Sequence, residues 1–393
     1  MQNRLLIVLM LIMLTLSATA AQTQENAQDL LIIESEGDYW SWSEDTGLFQ
    51  LTYWGYNWGL DRSLDGRYLA YASTADFVVE AFQRKDYYPI EIIPTNIWLY
   101  DLQTGEAVRI ASQPSNAVYN AEQVSGYNRF DPHWSPDGTK LAWVQFVAGG
   151  DNYTWQLVVY DVASGTEQVA VDRLPGPFGD AGFIGYIRLR WETVGLITDT
   201  FGGTDDNFFG QTFRIYDENG TLLTEHHFGT SQDGLRDWFW NEDDPLTGIV
   251  GIWTNYQTQI STYFQVDPFA GTEQELPDVV PVSLARNAQQ GLALYFEKNG
   301  ESQIASWWSS KQGDASLPYI LTGRGALPSQ IAIAPDGERI AYLTDALYIW
   351  EDDQAQPIPD TEQFVTADSA GTLTWGEPLW QLRPRSELPS TVG

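Results

Sequence analysis

The chain has 393 residues, of which 43% are hydrophobic and 14% aromatic, so it can bury a large core and is not intrinsically disordered. Its 53 Asp and Glu outnumber its 20 Lys and Arg, and the formal net charge of −33 argues against nucleic acid and anionic lipid as partners. Because the sequence contains no cysteine, it excludes disulfides, thiolate metal sites and thiol nucleophiles.

The chain begins with the features of a secretory signal peptide. Arg4 precedes an apolar run over residues 5–16, and Ala18 and Ala20 form an Ala-x-Ala cleavage site. The apolar run is shorter than the roughly 20 residues of a spanning helix, which argues against the alternative of an uncleaved anchor. We therefore predict that residues 1–20 are a signal peptide. The chain is then expected to be a bacterial protein that is exported to the periplasm or the medium, without membrane insertion.

Hairpins with one shared pattern recur along the rest of the chain, after a first strand with the sequence LLIIES. Each hairpin has a strand of alternating aromatic or β-branched residues, a turn rich in Asp or Gly, and a polar second strand. The copies begin at Asp38, Asn96, Gln156, Thr212, Thr262, Ile304 and Leu347. The last two are weaker, but together the copies indicate one structural unit repeated seven times.

A second pair of strands lies between consecutive hairpins, and in three places its turn is Asp-Gly. These turns are Asp65-Gly66, Asp137-Gly138 and Asp336-Gly337. Asp-Gly tolerates the positive φ angles of a tight turn, so each predicts an antiparallel hairpin. Three further pairs are degenerate and begin at Ile187, Asp237 and Val282. A last pair begins at Gly371 and has no hairpin after it.

Four-stranded units that repeat at roughly 40–60 residues predict an all-β fold, a β-propeller. We expect seven blades, although the degenerate middle repeats leave six or eight possible. The hairpin at Asp38 has no innermost strand, so we expect the C-terminal strand to join the N-terminal blade and close the ring. The predicted organisation is a signal peptide over 1–20, one propeller domain over 29–385 and a flexible tail over 386–393.

The Asp-Gly hairpins resemble the Pro-Asp-Gly propeller repeat of TolB-like and WD-like proteins. Residues 135–138 read Ser-Pro-Asp-Gly and residues 334–337 read Ala-Pro-Asp-Gly, while residues 63–66 lack the proline. The resemblance implies a blade hairpin, and a fold alone does not imply an activity. Related repeats occur in prolyl oligopeptidase-type peptidases, but the Gly-x-Ser-x-Gly motif of their hydrolase domain is not found in this sequence. The N-terminal α/β domain of TolB-type proteins is not expected either, since about ten residues separate the signal from the first strand.

One Asp-Gly hairpin contains the three residue types of a hydrolytic triad: His133, Ser135 and Asp137. At the position of His133, the other two copies hold Asp61 and Ala332. A catalytic triad would not lose its histidine while the turn is retained. We therefore interpret the triad as a coincidence and predict no catalytic residue from it.

The sequence also offers little for a metal site. His226 and His227 are neighbours on a predicted strand and face opposite sides, so they cannot chelate one ion together. The loop at residues 202–210 combines glycines with Asp205 and Asp206, and oxygen-rich flexible loops can bind calcium. A solvated turn is the simpler interpretation, so we predict no cofactor and keep calcium at this loop as an alternative.

Four insertions are predicted to emerge on one rim of the propeller, at residues 77–95, 112–128, 172–186 and 202–210. Insertions that gather on one face commonly mark a binding face, although neutral loop drift is the alternative. Within them, adjacent cations, aromatic residues outside the strand periodicity and paired carboxylates are the candidate ligand-binding residues. These residues are Arg84, Lys85, Tyr87, Tyr88, Tyr127, Asp205 and Asp206.

Two functions remain open at this point. We favour a secreted, non-enzymatic and monomeric propeller that recognises a protein or a carbohydrate ligand on its loop-rich face. The alternative is an extracellular glycan-active lyase or hydrolase that uses carboxylates facing the central channel. An enzyme requires titratable groups with perturbed pKa values that converge at the centre, and this requirement separates the two functions.

Overall fold

The computed structural model describes most of residues 30–375, where strands dominate and one α-helix interrupts them. The described residues are 30–89, 92–149, 154–176, 187–203, 209–230, 233–241, 247–255, 257–258, 260–275, 279–286, 291–297, 304–305, 318–319, 330–334, 339–343, 346–351, 354–366, 369–370 and 373–375. The predicted signal peptide and the predicted C-terminal tail lie outside them.

The strands are short and follow one another at regular intervals. In the first half they are β1 (Leu31–Ser35), β2 (Asp38–Ser43), β3 (Gly47–Gln50), β4 (Asn57–Arg62), β5 (Tyr68–Thr74), β6 (Thr95–Asp101), β7 (Glu106–Ala111), β8 (Val118–Tyr119), β9 (Val124–Trp134), β10 (Lys140–Ala148), β11 (Thr154–Asp161), β12 (Thr166–Leu174), β13 (Ile187–Glu192) and β14 (Gly195–Gly203). Helix α1 spans Asp76–Arg84, between β5 and β6.

The second half contains the remaining strands and one turn of 3-10 helix at Glu362–Phe364. The strands are β15 (Phe209–Tyr216), β16 (Leu222–Phe228), β17 (Asp233–Asn241), β18 (Gly248–Asn255), β19 (Ile260–Asp267), β20 (Thr272–Glu275), β21 (Val279–Arg286), β22 (Gly291–Glu297), β23 (Ile304–Ala305), β24 (Pro318–Tyr319), β25 (Gln330–Ile333), β26 (Ile340–Leu343), β27 (Leu347–Glu351), β28 (Gln354–Pro357), β29 (Val365–Thr366), β30 (Ser369–Ala370) and β31 (Leu373–Trp375).

Across the described ranges, six sheets have the consecutive antiparallel strands of a propeller blade. Written from the inner strand outward, they are blade 1 (β31-β1-β2-β3), blade 2 (β4 to β7), blade 3 (β9 to β12, with β8 added beside β9), blade 4 (β13 to β16), blade 5 (β17 to β20) and blade 6 (β25 to β28). The described residues therefore form an all-β propeller with six blades.

The predicted count of seven blades is not supported, although six lies within the predicted range. The sequence places a further blade at the strands that begin at Val282 and Ile304. The residues described there form two two-stranded sheets, β21-β22 and β23-β24, and a blade needs four strands in one sheet. The residues between these strands lie outside the described ranges.

The first blade combines strands from both ends of the described chain. β31 pairs antiparallel with β1, with Trp375 opposite Leu31 and Leu373 opposite Ile33. Side chains of blade 1, such as Ile33, share a hydrophobic cluster with Leu347 and Ile349 of blade 6. The first and the last blades therefore pack against each other.

The Asp-Gly turns at residues 65–66 and 137–138 form as their sequences predict, whereas the third, at residues 336–337, lies outside the described residues. Gly66 and Gly138 have φ angles of 71° and 70°, which glycine adopts without steric cost. Ser135 Oγ donates to Asp137 Oδ1 over 2.6 Å, and this bond, together with those from the N–H and hydroxyl of Thr139, lowers the pKa of Asp137 to about 2. Ser135 and Asp137 thus bond directly to each other at the turn, whereas a triad requires a histidine between them.

No helix within the described residues is long and apolar enough to cross a bilayer. Helix α1 has nine residues, which span about 14 Å at 1.5 Å per residue.

Candidate functional site

The insertion between β5 and β6, predicted only as a lengthened connection, contains helix α1. Val78, Ala81 and Phe82 lie on one side at helical spacing, and the first two are fully buried. Asp76 in the first turn complements the helix dipole. The helix ends at Lys85, whose positive φ of 58° lets its N–H bond to the carbonyl of Phe82 over 3.0 Å.

Ring contacts fix α1 to the neighbouring link. Phe82 lies edge-on to Tyr119, with ring centroids 5.7 Å apart, and 6.3 Å from the ring of Tyr56. Asp86 Oδ1 accepts a hydrogen bond of 2.9 Å from the backbone N–H of Ala121. Residues 77–95 and 112–128, which the sequence predicts on the same rim, are therefore in direct contact.

Three predicted ligand residues are displayed together at the end of this helix. Arg84 and Lys85 are exposed, and Tyr87 keeps 56% of its surface accessible. Arg84 also lies 3.5 Å from the carboxylate of Glu80, one turn earlier. We call residues 76–89 the platform, since buried side chains anchor this segment while its cationic end faces solvent.

The other predicted ligand residues lie elsewhere. Tyr88 is half-buried and packs against the hydrophobic core of blade 3. The ring of Tyr127 covers the guanidinium of Arg129 at 4.8 Å. Asp205 and Asp206 lie outside the described residues. The structure thus gathers Arg84, Lys85 and Tyr87, and it places Tyr88 and Tyr127 in packing contacts below.

Arg129 beneath the rim has no counterpart in the sequence-based predictions. The residue is 1% exposed, and its guanidinium donates to the carbonyls of Thr95 and Ser112 and to Gln145 Oε1 over 3.0–3.1 Å. Burial lowers the pKa of Arg129 to about 10, so it remains protonated at neutral pH. It joins the ends of both contacting insertions. No local pattern in the sequence marks a buried arginine.

A second group of polar side chains lies on β4 and β9, the inner strands of blades 2 and 3, and on the neighbouring β1 of blade 1. β4 and β9 each contain a β-bulge, at Gly59 with φ 64° and at Asp131 with φ 41°. The two bulges face each other, because a Cβ at Gly59 would lie 3.2 Å from Asp131 Oδ1. Glycine is required there both for its φ angle and for this close approach.

Glu34 of β1 faces the same region. Burial, followed by repulsion from Asp131, raises the pKa of Glu34 from its ordinary 4.5 to about 7. Tyr39 lies opposite Glu34 on β2 and is fully buried. Close by along the inner strands, His133 Nδ1 lies 3.3 Å from Asp61 Oδ2. We call Glu34, Asp61, Asp131 and His133 the inner-strand cluster.

This cluster was not found by sequence reasoning, which identified no carboxylate pair. Asp61 and Asp131 each precede an Asp-Gly hairpin in the sequence, and only the assembly of three blades brings them near Glu34. A partial signal existed, because Asp61 and His133 occupy equivalent repeat positions on adjacent blades and so lie side by side. Among the described residues, no three His, Asp or Glu side chains are arranged to hold a metal ion.

A third polar group joins blades 4 and 5. Asp199 is 2% exposed and accepts hydrogen bonds from Arg188 Nε, from Gln211 Nε2 over 2.6 Å and from the indole N–H of Trp238. Burial raises the pKa of Asp199, although the nearby Arg188 acts in the opposite direction. All the bonds of this carboxylate are internal, so it serves to hold two blades together.

Comparison with known proteins gives the fold and no family. No protein-family model matches the chain, and no curated protein matches it either. Among solved structures, an oligogalacturonate lyase from Vibrio parahaemolyticus is 13% identical, with 84% of this chain and 92% of that chain covered and a TM-score of 0.49.

Two other solved structures extend the comparison. A prolyl endopeptidase structure is 11% identical, with 88% of this chain and 53% of that chain covered and a TM-score of 0.50. TolB from Acinetobacter baumannii is also 11% identical, with 88% of this chain and 66% of that chain covered and a TM-score of 0.37. At such identities the similarity extends to the fold alone, and membership of the TolB-like family is not shown.

Proposed function

We propose that this chain is an exported, non-enzymatic and monomeric propeller that binds an anionic carbohydrate at the platform. The observation that supports the proposal is the display of Arg84, Lys85 and Tyr87 on an anchored helix end. An anchored site loses little conformational entropy when a ligand binds. Guanidinium and ammonium groups recognise carboxylates or sulfates, and an exposed tyrosine ring offers a flat surface to a sugar.

The chain has a net charge of −33, so most of its surface repels an anionic ligand. Two adjacent exposed cations therefore indicate an anion-binding site more specifically here than they would in a neutral protein. A purely structural role is the competing explanation, since cations near a helix C-terminus stabilise it by about 0.3–1 kcal/mol. The two explanations differ in their dependence on a ligand. If the pair binds a ligand, replacing both cations should weaken that binding. Stabilisation of the helix end, in contrast, would be observed without any ligand.

The test is calorimetric titration of the full chain with alginate oligosaccharides at several salt concentrations. The double variant Arg84→Gln, Lys85→Gln should bind roughly tenfold or more weakly and show a smaller salt dependence. Arg67→Gln is the control, because Arg67 is a cation with 40% of its side chain exposed at the Asp65-Gly66 turn of blade 2, outside the four insertions. Wild-type affinity in the double variant would contradict the proposal, and binding of polyglutamate instead would indicate a protein partner.

The inner-strand cluster supports a second candidate, a lyase or hydrolase acting on glycans. The specific observation is that the pKa of Glu34 is raised to about 7 beside Asp131, as expected for a group that exchanges protons near neutral pH. If the chain is an enzyme, Glu34→Gln should abolish depolymerisation of alginate while Arg84→Gln weakens binding only. Absence of any turnover in the wild-type chain would remove this candidate.

We also propose that β31 closes the propeller ring, on the basis of its pairing with β1 and the packing of blade 1 against blade 6. Export through residues 1–20 and calcium binding at Asp205 and Asp206 remain predictions from the sequence. Calcium would be tested by thermal unfolding with and without the ion, and an unchanged midpoint would contradict it.

A further inference from the structure

A groove of about 580 Å³ lies between the outer parts of blades 1 and 6, away from both the platform and the inner-strand cluster. Its lining combines one tryptophan, two carboxylates, two amides and an apolar floor. The lining residues are Trp42, Glu44, Ile349, Glu351, Gln354, Gln356, Pro357, Ile358 and Pro359.

The register of the strands explains why the groove is open. Ile349 pairs with Gln356 and Glu351 pairs with Gln354, so these side chains share one face of the β27-β28 hairpin. Towards the centre this face is apolar and packs with Trp40 of blade 1 in a hydrophobic cluster. Towards the outside the same face becomes polar, and a polar surface does not close against the opposite blade.

From this geometry we infer that the groove binds a neutral saccharide. The tryptophan ring of Trp42 is half-buried in the wall, which suits stacking against the C–H face of a pyranose. Gln354, Gln356 and Glu351 are exposed around it and supply donors and acceptors for hydroxyl groups. The volume lies within the range of small-molecule sites, roughly 300–1,000 Å³.

The charge of the lining sets the ligand class. Glu44 and Glu351 would repel a carboxylated or sulfated sugar, whereas carboxylates accept hydrogen bonds from neutral hydroxyls. Arg339 is the cation that approaches the lining, and its Nε lies 3.9 Å from Glu351 Oε1. This groove therefore differs in ligand charge from the platform, and the inference does not depend on the proposed function.

The experiment is saturation-transfer NMR and calorimetric titration of the full chain with maltohexaose, cellohexaose and mannohexaose. The double variant Gln354→Ala, Gln356→Ala should reduce the affinity for the bound sugar roughly tenfold or more. Because both residues are exposed on an outer strand, the thermal midpoint should be unchanged. Gln103→Ala, on an exposed turn of blade 2, is the matched control.

Each outcome decides the inference. Binding of one of these sugars, lost in the double variant and retained in both Gln103→Ala and the platform variant, supports the groove. Failure of all three neutral sugars to bind overturns it, as does wild-type affinity in the double variant. If Arg84→Gln, Lys85→Gln abolishes the binding of the neutral sugar, the sugar lies at the platform and the groove is wrong, while the proposed function stands.

Discussion

The carboxyl group of Glu34 gives the inner-strand cluster a measurable pH dependence. Its pKa is raised from 4.5 to about 7, so between these values the folded state holds a proton that the unfolded state has released. The free energy of unfolding should therefore fall as the pH rises from about 4.5 to about 7, by up to about 3 kcal/mol.

Glu34→Gln should abolish this decrease in the free energy of unfolding, because glutamine stays neutral at every pH. At pH 8 we expect the variant to be more stable than the wild type by about 1–3 kcal/mol, and at pH 4 to differ little from it. Urea unfolding at both pH values measures this, with Glu44→Gln on an exposed turn as the control. An equal effect of Glu34→Gln at both pH values would show that Glu34 is not held protonated.

Replacement of Arg129 by a nonpolar residue of similar size should cause a large loss of stability. Arg129→Met fills similar space but removes three hydrogen bonds of the guanidinium, to the carbonyls of Thr95 and Ser112 and to the amide oxygen of Gln145. Because a hydrogen bond to a charged group contributes about 1.5–3 kcal/mol, we expect a destabilisation of about 2–3 kcal/mol or more.

The measurement is the free energy of unfolding in urea, with Arg173→Met as the exposed control, expected within about 0.5 kcal/mol of the wild type. A comparable loss in both variants would indicate a general effect of arginine removal. A negligible loss in Arg129→Met would show that water replaces the guanidinium.

At the scale of elements, local sequence predicted the hairpins well and the helix poorly. Asp65-Gly66 and Asp137-Gly138 specify their turns through residues that are adjacent in sequence, so no distant contact is needed. Helix α1 shows the apolar spacing of Val78 and Phe82, but nine residues within a predicted loop give too short a periodic signal. The burial of its apolar side chains stabilises the helix, and the local sequence does not show that burial.

The contact between α1 and the neighbouring link makes a prediction about local order. Phe82→Ala removes the ring that lies against Tyr119 and Tyr56, which should weaken the platform by about 2 kcal/mol while the strands of blade 2 remain folded. Hydrogen exchange followed by mass spectrometry should then show faster exchange over residues 76–89 alone. Unchanged exchange there would mean that the backbone around α1 holds the helix without this ring.

At the scale of the whole molecule, the sequence predicted the propeller and the strand at the C-terminus, but not the number of blades. The unpaired inner edge of the hairpin at Asp38 required a strand from elsewhere, and β31 pairs with β1. The prediction of seven blades rested on seven hairpins, and at the weak one that begins at Ile304 the described residues form only the two-stranded sheet β23-β24. The inner-strand cluster and Arg129 depend on packing between blades, which no single stretch of sequence reveals.

Ring closure can be tested through the backbone of β31. Thr374 is the middle residue of β31, opposite Ile32 of β1. Thr374→Pro removes its backbone N–H and fixes its φ at about −65°, so pairing with β1 should be weakened. Thr374→Ala keeps the N–H and serves as the control. Hydrogen exchange should increase in both blade 1 and blade 6 of the proline variant, and an increase confined to β31 would contradict closure by this strand.

The most direct test of the binding function is the hydrogen-exchange footprint of alginate oligosaccharides on the full chain. We expect slower exchange over residues 76–89 and the contacting link at 112–123, and no change in the Arg84→Gln, Lys85→Gln variant. Protection confined to β1, β4 and β9 around Glu34 and Asp131 would contradict it and favour an enzyme. No protection anywhere would rule out an anionic carbohydrate as the ligand of the platform.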